Sequence, residues 1–319
     1  MMDFRIPFGD WVKSGKNWIE DNLDWLLTLL GDLWNGLYDA VNWVFTSPPA
    51  LVVIVVLALA AFVFRGWRFG LGTVVGLTFI IGVNQWDNAM DTISLVIVSA
   101  FLALLVAIPL GIWAARNTTV SNIVKPIMDF LQTMPAFVYL IPAIAFFGIG
   151  VAPGIFATVL FSLAPGVRLT ELGIRSVDKE VVEAGQAFGA SPRRILRQIQ
   201  LPLAMPSIMA GVNQVIMLSL SMVVIAGMVG AGGLGGDVAR AVSALDIAIG
   251  AEAGISVVIL AIILDRFTGA FGNRRAKSLM DRLFHRNPDD GNSTNNPVDD
   301  AASDPNKGED RATTQGALT

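Results

Sequence analysis

The sequence predicts an all-α integral membrane protein with about seven transmembrane helices. Hydrophobic residues make up 54% of its 319 residues, and charged residues make up only 15%. Soluble domains of this size carry about a quarter charged residues, so this deficit is typical of a membrane protein. The charges are also segregated, because long apolar stretches alternate with short polar connections. One of these connections, 176–202, is polar and enclosed by apolar stretches, and it is the strongest indication of function.

Seven apolar stretches approach the length that a membrane span requires. A hydrocarbon core of about 30 Å needs roughly 20 helical residues, or fewer where flanking Arg or Trp side chains reach the interface. Pro109, Pro135 and Pro142 predict kinks in the third and fourth stretches. The predicted spans are 49–65, 69–86, 90–115, 127–150, 153–173, 205–230 and 246–270.

The distribution of Lys and Arg predicts the orientation of these spans, because cytoplasmic connections carry an excess of basic residues. Basic residues concentrate in alternate connections, whereas the intervening connections contain only Arg240. Seven spans with a cytoplasmic C-terminus place the N-terminus outside, and the connection 176–202 is then cytoplasmic. The basic residues of the predicted cytoplasmic side are Arg65, Arg68, Arg116, Lys125, Arg193, Arg194, Arg197, Arg274, Arg275 and Lys277.

The regions outside the spans differ in character. Residues 1–48 place apolar side chains at three- and four-residue steps and are rich in Trp, which predicts an external amphipathic arm lying on the membrane surface. A helix packed on a partner protein is the alternative interpretation. Residues 273–319 are predicted to form a cytoplasmic, largely disordered tail, because few apolar residues are available for burial from about Asn287 onward.

Composition and motifs argue against several kinds of site. The chain has no cysteine, and its one histidine, His285, has no companion for a metal site, so no metal is expected. No glycine-rich loop is followed by the Lys-Ser or Lys-Thr that a phosphate cradle requires. The glycine-rich stretch 230–236 (GAGGLGG) is interpreted as a flexible external turn. The chain is therefore not expected to be an enzyme, and any ATP must be bound elsewhere.

The polar connection predicts two short helices. The first covers about 178–188 and stops at Gly189, and the second opens with Ser191 as N-cap and Pro192 at its first position and ends at Pro202. A DNA-binding helix-turn-helix is disfavoured, because spans on both sides leave too little linker to reach a major groove. No nucleic acid partner is expected. A contact with a cytoplasmic partner and a merely structural loop both remain open.

The residues of this connection resemble the EAA loop of importer-type ABC permeases. That loop reads Glu-Ala-Ala, three residues, Gly, nine residues and Ile-x-Leu-Pro. Every spacing matches here, and the one departure is Gly185 in place of the second Ala. The resemblance implies that this loop couples the chain to an ATPase. The residues that carry it are Glu183, Ala184, Gly185, Gly189, Ile199, Leu201 and Pro202.

Further segments resemble the permease subunit of glycine betaine/proline betaine (quaternary amine) importers. They are QTMPAFVYLIP at 132–142, FGIG at 147–150, LPLAMPSIMAGVNQ at 201–214 and ILAIILDR at 259–266, and the resemblance covers roughly 50–272. It implies a type I importer (MetI-like) core in a bacterial inner membrane. It also implies that two copies form the pore, that separate ATPase subunits bind ATP and Mg²⁺, and that an external binding protein delivers the solute.

Three residues are candidates for the translocation path. Asn213 and Gln214 are polar residues inside span six, and Tyr139 could face a quaternary ammonium group through cation–π contact. Hydrogen bonding between helices and packing against lipid are the competing interpretations. Two functional alternatives also stay open. One is an ABC permease for choline, carnitine or an amino acid, and the other is a secondary transporter driven by an ion gradient.

Overall fold

The computed structural model describes residues 7–272, and within that range the chain consists of helices and short connections. The predicted tail, 273–319, lies outside the described residues. The helices are α1 (Phe8–Thr46), α2 (Ala50–Arg65), α3 (Trp67–Gly82), α4 (Trp86–Arg116), α5 (Thr118–Thr133), α6 (Leu140–Phe147), α7 (Val151–Arg175), α8 (Lys179–Ala187), α9 (Pro192–Ile195), α10 (Leu201–Ala226), α11 (Gly233–Ala244) and α12 (Ile247–Gly272). A 3-10 turn, Ala136–Tyr139, precedes α6, and a π-helical turn, Leu196–Gln200, precedes α10.

Long apolar helices confirm the predicted all-α membrane architecture. Among the described residues, four segments are long and apolar enough to cross a bilayer: Trp86–Arg116, Val151–Arg175, Pro192–Val229 and Ile247–Ala270. Two sharply bent helix pairs, α1 with α2 and α5 with α6, raise the number of candidate spans to six. The remaining predicted span, 69–86, corresponds to α3, which is apolar but has only 16 residues.

The predicted fourth span, 127–150, is broken at Pro135, where the sequence predicted only a kink. Helix α5 ends at Thr133, a new helical turn begins at Ala136, and the two segments are bent by 109°. Pro135 supplies the physical reason, because a proline restricts the preceding residue to extended conformations. Met134 accordingly has φ −71° and ψ 133°. The segment is therefore a broken span or a re-entrant loop.

Helices α4, α7 and α10 pack against one another at the centre of the fold. Small residues allow their backbones to approach closely, as in other membrane bundles. A Cβ atom on Gly166 of α7 would lie 2.8 Å from Ala107 of α4 and 3.0 Å from Val215 of α10. Because α7 and α10 flank the connection 176–202, this packing anchors both ends of that connection.

Helix α1 packs on the bundle through its second half. The ring of Trp34 lies 5.0 Å from that of Phe147 and 5.9 Å from that of Phe156, measured between centroids. Asn42 Nδ2 donates a hydrogen bond of 3.0 Å to Asp91 Oδ1 on α4. The axis of α1 is bent by 95° from that of α2, so α1 lies nearly perpendicular to that apolar helix. Its first half exposes Trp11, Trp18 and Trp25.

The glycine-rich stretch 230–236, predicted from the sequence to be a turn, is a turn only over 230–232. From Gly233 onward it forms helix α11, which packs on α4, α10 and α12. The Leu234 amide donates a hydrogen bond of 2.9 Å to Thr92 Oγ1, and the carboxylate of Asp237 accepts bonds of 2.8 Å from Gln85 and Asn88. Glycine allows close packing in this stretch, and the buried polar contacts then fix the helix in place.

Candidate functional site

The first arm of the polar hairpin is the exposed helix α8. Asp178 caps it, because its Oδ1 accepts a hydrogen bond of 3.0 Å from the Glu180 amide. The helix ends before Phe188, and Gly189 then adopts φ +77°, a left-handed conformation that glycine reaches at little cost. The predicted first helix and its glycine stop are confirmed.

The second arm does not end at Pro202, as the sequence suggested. It begins at Pro192 in α9, passes through the π-helical turn Leu196–Gln200, and continues without a break into α10. Pro202 lies in the first turn of α10, and the wide π-helical turn before it accommodates a residue that has no N–H to donate. The predicted N-cap, Ser191, makes no capping bond through its side chain. The second arm and the membrane span are thus one continuous helical segment.

The base of the hairpin is buried in an apolar cluster. Ile195 and Leu196 are 4% and 8% exposed, and Leu196 packs with Ile174 of α7 and Ala204 of α10. The cluster also contacts the end of α4 through Ile112. The hairpin is therefore fixed to three central helices at its base.

The two arms also contact each other directly. Gly185 of α8 faces the second arm, where an added Cβ would lie 2.7 Å from Ile199 Cδ1 and 3.7 Å from Ile195 Cγ1. Two residues of the predicted motif, Gly185 and Ile199, are thereby brought together. A cavity of about 720 Å³ opens between the hairpin and the end of α4, and Glu183, Gln186 and Arg116 are among its lining residues.

The first arm presents apolar side chains to its surroundings. Phe188, next to the turn at the tip, is 92% exposed, and Val181, in the first turn of α8, is 42% exposed. Exposed large apolar side chains on a polar loop are typical of a protein-binding surface. The remaining motif residues differ in exposure: Glu183, Ala184 and Gly189 on the first arm and Pro202 at the start of α10 are exposed, whereas Leu201 is partly buried. Arg193, Arg194 and Arg197 are exposed on the second arm.

A polar network below the hairpin was not identified from the sequence. Glu171 of α7 is 5% exposed, and its Oε1 accepts a hydrogen bond of 2.7 Å from Ser121 Oγ. The same oxygen forms an ion pair with Arg175, at 2.9 Å from Nε. Lys125 Nζ lies 3.7 Å from the same oxygen, and Arg175 also donates to the Ala114 carbonyl. The i, i+4 spacing of Glu171 and Arg175 was the available signal, but their partners on α4 and α5 are distant in sequence.

The structure separates the three path candidates. Tyr139 is 1% exposed, and its hydroxyl donates to the Leu131 carbonyl. Asn213 donates a bond of 3.2 Å to Asp265 and accepts one from Thr268, so it joins α10 to α12. Gln214 is exposed near the middle of α10 and has no hydrogen-bond partner among the described residues. Within residues 7–272, no group of acidic or histidine side chains is placed to hold a metal ion.

Comparisons with known proteins agree with this geometry. Residues 107–277 match the family described as binding-protein-dependent transport system inner membrane component. A glycine betaine/carnitine transport permease protein, GbuB of Listeria monocytogenes serotype 1/2a (strain 10403S), is 47% identical over 86% of this chain and 98% of the relative. The glycine betaine/proline betaine transport system permease protein ProW of Escherichia coli (strain K12) is 44% identical over 88% of this chain and 80% of the relative.

A solved structure supports the fold independently. A chain of the MetNI methionine ABC transporter in an inward-facing conformation superimposes with a TM-score of 0.53 at 22% identity. The match covers 61% of this chain and 95% of that chain. At this identity the likeness concerns the fold alone. The family match over residues 107–277 and the relatives at 44–47% identity show that the chain belongs to the family of binding-protein-dependent transport system inner membrane components.

Proposed function

We propose that this chain is the membrane-spanning permease subunit of an ATP-driven importer for glycine betaine, proline betaine or a related compatible solute. The observation that carries the proposal is the hairpin 176–202, whose second arm continues into the membrane helix α10. A rigid connection of this kind transmits displacement at its tip into the bilayer. The solute class is supported by the names of relatives at 44–47% identity.

The hairpin tip is proposed to dock on a separate ATPase subunit. Phe188 at the tip and Val181, two turns earlier on α8, provide an apolar contact, and the arginines of the second arm can meet acidic groups on the partner. ATP and Mg²⁺ would be bound by that subunit, whose closure moves the hairpin and biases the permease between inward- and outward-facing states. We place the hairpin and the C-terminus in the cytoplasm and the N-terminus outside, as the distribution of Lys and Arg indicates.

The exposed face of α10 is proposed to line the pore shared with a second copy of the chain. Ala210, Gln214 and Ser221 recur on that face at helical spacing. The exposed face of α2, by contrast, carries Leu51, Val55, Leu59 and Phe62, the large side chains suited to lipid. An unpartnered amide in hydrocarbon is costly, so Gln214 favours a water-filled path. The external amphipathic arm and the delivery of solute by an external binding protein also belong to this proposal.

Of the three residues that the sequence suggested for the translocation path, Gln214 is the one that we place there. Asn213 holds α12 against α10, which gives it a structural role in this conformation. Tyr139 is packed against Phe161, with 5.9 Å between ring centroids, and is not accessible from a path. Carnitine is the second candidate solute, because the name of one relative at 47% identity includes it.

Copurification tests the docking proposal. A tagged chain is expected to retain its ATPase subunit from detergent extracts, and Phe188→Glu should abolish that retention. Leu245→Glu is the matched control, because Leu245 is equally apolar and 86% exposed but lies between α11 and α12. ATP-dependent uptake of radiolabelled glycine betaine into proteoliposomes should show the same pattern. Uptake by the chain without any ATPase would instead establish a secondary transporter.

A further inference from the structure

We infer that Glu171 is a positioning residue that makes α5, and with it the broken span α5–α6, move together with the hairpin. This inference rests on the proposed function, since it concerns how displacement of the hairpin spreads into the membrane. It assigns a role to the buried polar network around Glu171. This network includes no residue of the sequence motif or of the proposed docking surface.

The network lies directly where the hairpin enters the membrane domain. Helix α7 ends at Arg175, and only residues 176–178 separate it from α8. Glu171 is one turn earlier, so a force on the first arm reaches this carboxylate before it reaches the rest of α7. The residue is 5% exposed, which is unusual for a carboxylate unless its partners compensate for the loss of water.

The partners of Glu171 lie on α5 and on α7 itself. Ser121 Oγ donates to its Oε1 at 2.7 Å and Lys125 Nζ lies 3.7 Å away, and both residues belong to α5. Arg175 Nε binds the same oxygen at 2.9 Å while its Nη2 donates to the Ala114 carbonyl of α4 at 2.9 Å. One carboxylate thus links the last turn of α7 to α5, and through Arg175 to the end of α4.

A second ion pair extends the link along α5. Asp129 of α5 pairs with Arg168 of α7, and Glu171 lies one turn further along α7. Between these polar contacts, Val124 and Met128 of α5 pack on Val167 of α7. The α5–α7 contact therefore combines an apolar stripe, which has little directional preference, with charged bonds that fix the register of the two helices.

The direction of the effect follows from where α5 leads. Helix α5 is the first segment of the broken span, and the bend of 109° at Met134–Pro135 connects it to α6. If α5 keeps its register on α7, displacement of the hairpin also displaces the broken span. If the register is lost, α7 moves past α5 and the span remains in place. When α5 keeps its register on α7, ATP hydrolysis is coupled to opening of the membrane path. When that register is lost, ATP is hydrolysed without opening the path.

The test uses the complete transporter, with ATPase and binding protein, in proteoliposomes. For Glu171→Gln we expect ATPase retention at the parental stoichiometry, ATP hydrolysis within about twofold of the parent, and glycine betaine uptake reduced at least about tenfold. Glu171→Asp should recover a large part of the uptake, and Ser121→Ala, which removes one bond, should lower uptake less. Glu20→Gln is the matched control, because Glu20 forms a partly buried ion pair with Lys16 within α1.

One result would overturn the inference: a ratio of solute transported per ATP hydrolysed that stays at the parental value in Glu171→Gln. The ratio stays at that value if neither rate changes, and also if hydrolysis and uptake fall in parallel. A parallel fall would show that Glu171 only stabilises the fold. Absence of ATP-dependent uptake in the parent would instead refute the proposed function, so the two failures are distinguishable.

Spin labels give a readout that does not depend on transport activity. The chain has no native cysteine, so Ile123→Cys on α5 and Leu172→Cys on α7, both highly exposed positions, can be labelled directly. The distance between labels should be the same in the nucleotide-free and vanadate-trapped states of the otherwise parental protein. It should shift or broaden on trapping in Glu171→Gln. An equal shift in both proteins would show that Glu171 does not hold the register.

Discussion

Gly185 and Ile199 hold the two arms of the hairpin in direct contact. An added Cβ on Gly185 would lie 2.7 Å from Ile199 Cδ1, closer than carbon atoms normally approach. The clashing atom is the far end of a flexible side chain, so a small displacement of Ile199 relieves the contact. The pattern of importer permeases has Ala where this chain has Gly185, and the geometry explains how either residue can be accommodated.

Substitutions at Gly185 should therefore show a graded effect of side-chain size. Gly185→Ala is expected to keep uptake within about twofold of the parental rate. Gly185→Leu should force the arms apart and lower the folding stability by about 1–3 kcal/mol. ATP-dependent uptake and ATPase retention by the purified complex measure both. If Gly185→Ala loses some uptake, the additional substitution Ile199→Val should restore it, because it removes the clashing Cδ1 atom. A Gly185→Leu protein with parental uptake would contradict the direct contact.

Gly189 should be sensitive to backbone strain rather than to crowding. Its φ of +77° is left-handed, yet nothing lies within 4 Å of the position that a Cβ would occupy. Replacing Gly189 by Ala should lower the stability of this turn by about 1–2 kcal/mol, and replacing it by Asn should lower it less, because Asn tolerates a left-handed conformation. We expect ATPase retention to decrease in the order Gly, Asn, Ala, Val. Gly72→Ala in α3 is the control, since Gly72 has no near neighbour and no positive φ, and it should retain the ATPase fully.

The junction of α10 and α11 should depend on backbone-to-backbone packing. A Cβ on Gly235 would lie 2.6 Å from the Val223 carbonyl oxygen and 2.8 Å from the Val224 Cα, and neither atom can move independently of its helix. Gly235→Ala should lower stability by about 1–3 kcal/mol. The midpoint of thermal unfolding in detergent, followed by Trp fluorescence, measures the effect. Gly236→Ala is the adjacent control, because a Cβ on Gly236 meets nothing within 4 Å.

Neighbouring polar residues of α10 should respond differently to replacement by Leu. Asn213→Leu removes the bond to Asp265 and the one from Thr268, so it should lower stability by about 0.6–1.7 kcal/mol. Gln214→Leu breaks no hydrogen bond among the described residues, so thermal stability should stay unchanged while glycine betaine uptake falls. Unfolding midpoints and initial uptake rates distinguish the two. Normal uptake in Gln214→Leu would remove Gln214 from the proposed path.

Several elements could be predicted from sequence because their signals are local. Apolar stretches of sufficient length identify most of the spans, and Gly189 together with Pro192 correctly marks the turn between the two arms. The break between α5 and α6 has a local cause in Pro135, but proline alone did not distinguish a kink from a bend of 109°. Helix α4, for example, continues through Pro109. The outcome depends on how the neighbouring helices satisfy the freed backbone groups.

Other features depend on contacts between residues distant in the chain. The stretch 230–236 has the composition of a turn, yet Thr92, Gln85 and Asn88 on and beside α4 hold its C-terminal part in a helix. The Trp pattern of α1 suits a membrane surface, yet Trp34 packs on the bundle. Periodicity shows that a helix has an apolar face, but it does not show what covers that face.

The sequence by itself determined that this is a helical membrane protein with a polar hairpin between two spans, because hydropathy, turn residues and motif spacing are encoded over short distances. Only the tertiary structure decided that the second arm runs unbroken into α10 and that Glu171 joins α7 to Ser121 and Lys125. These relationships arise where helices far apart in sequence meet. Their side chains can bury charge and exclude lipid only in the assembled fold.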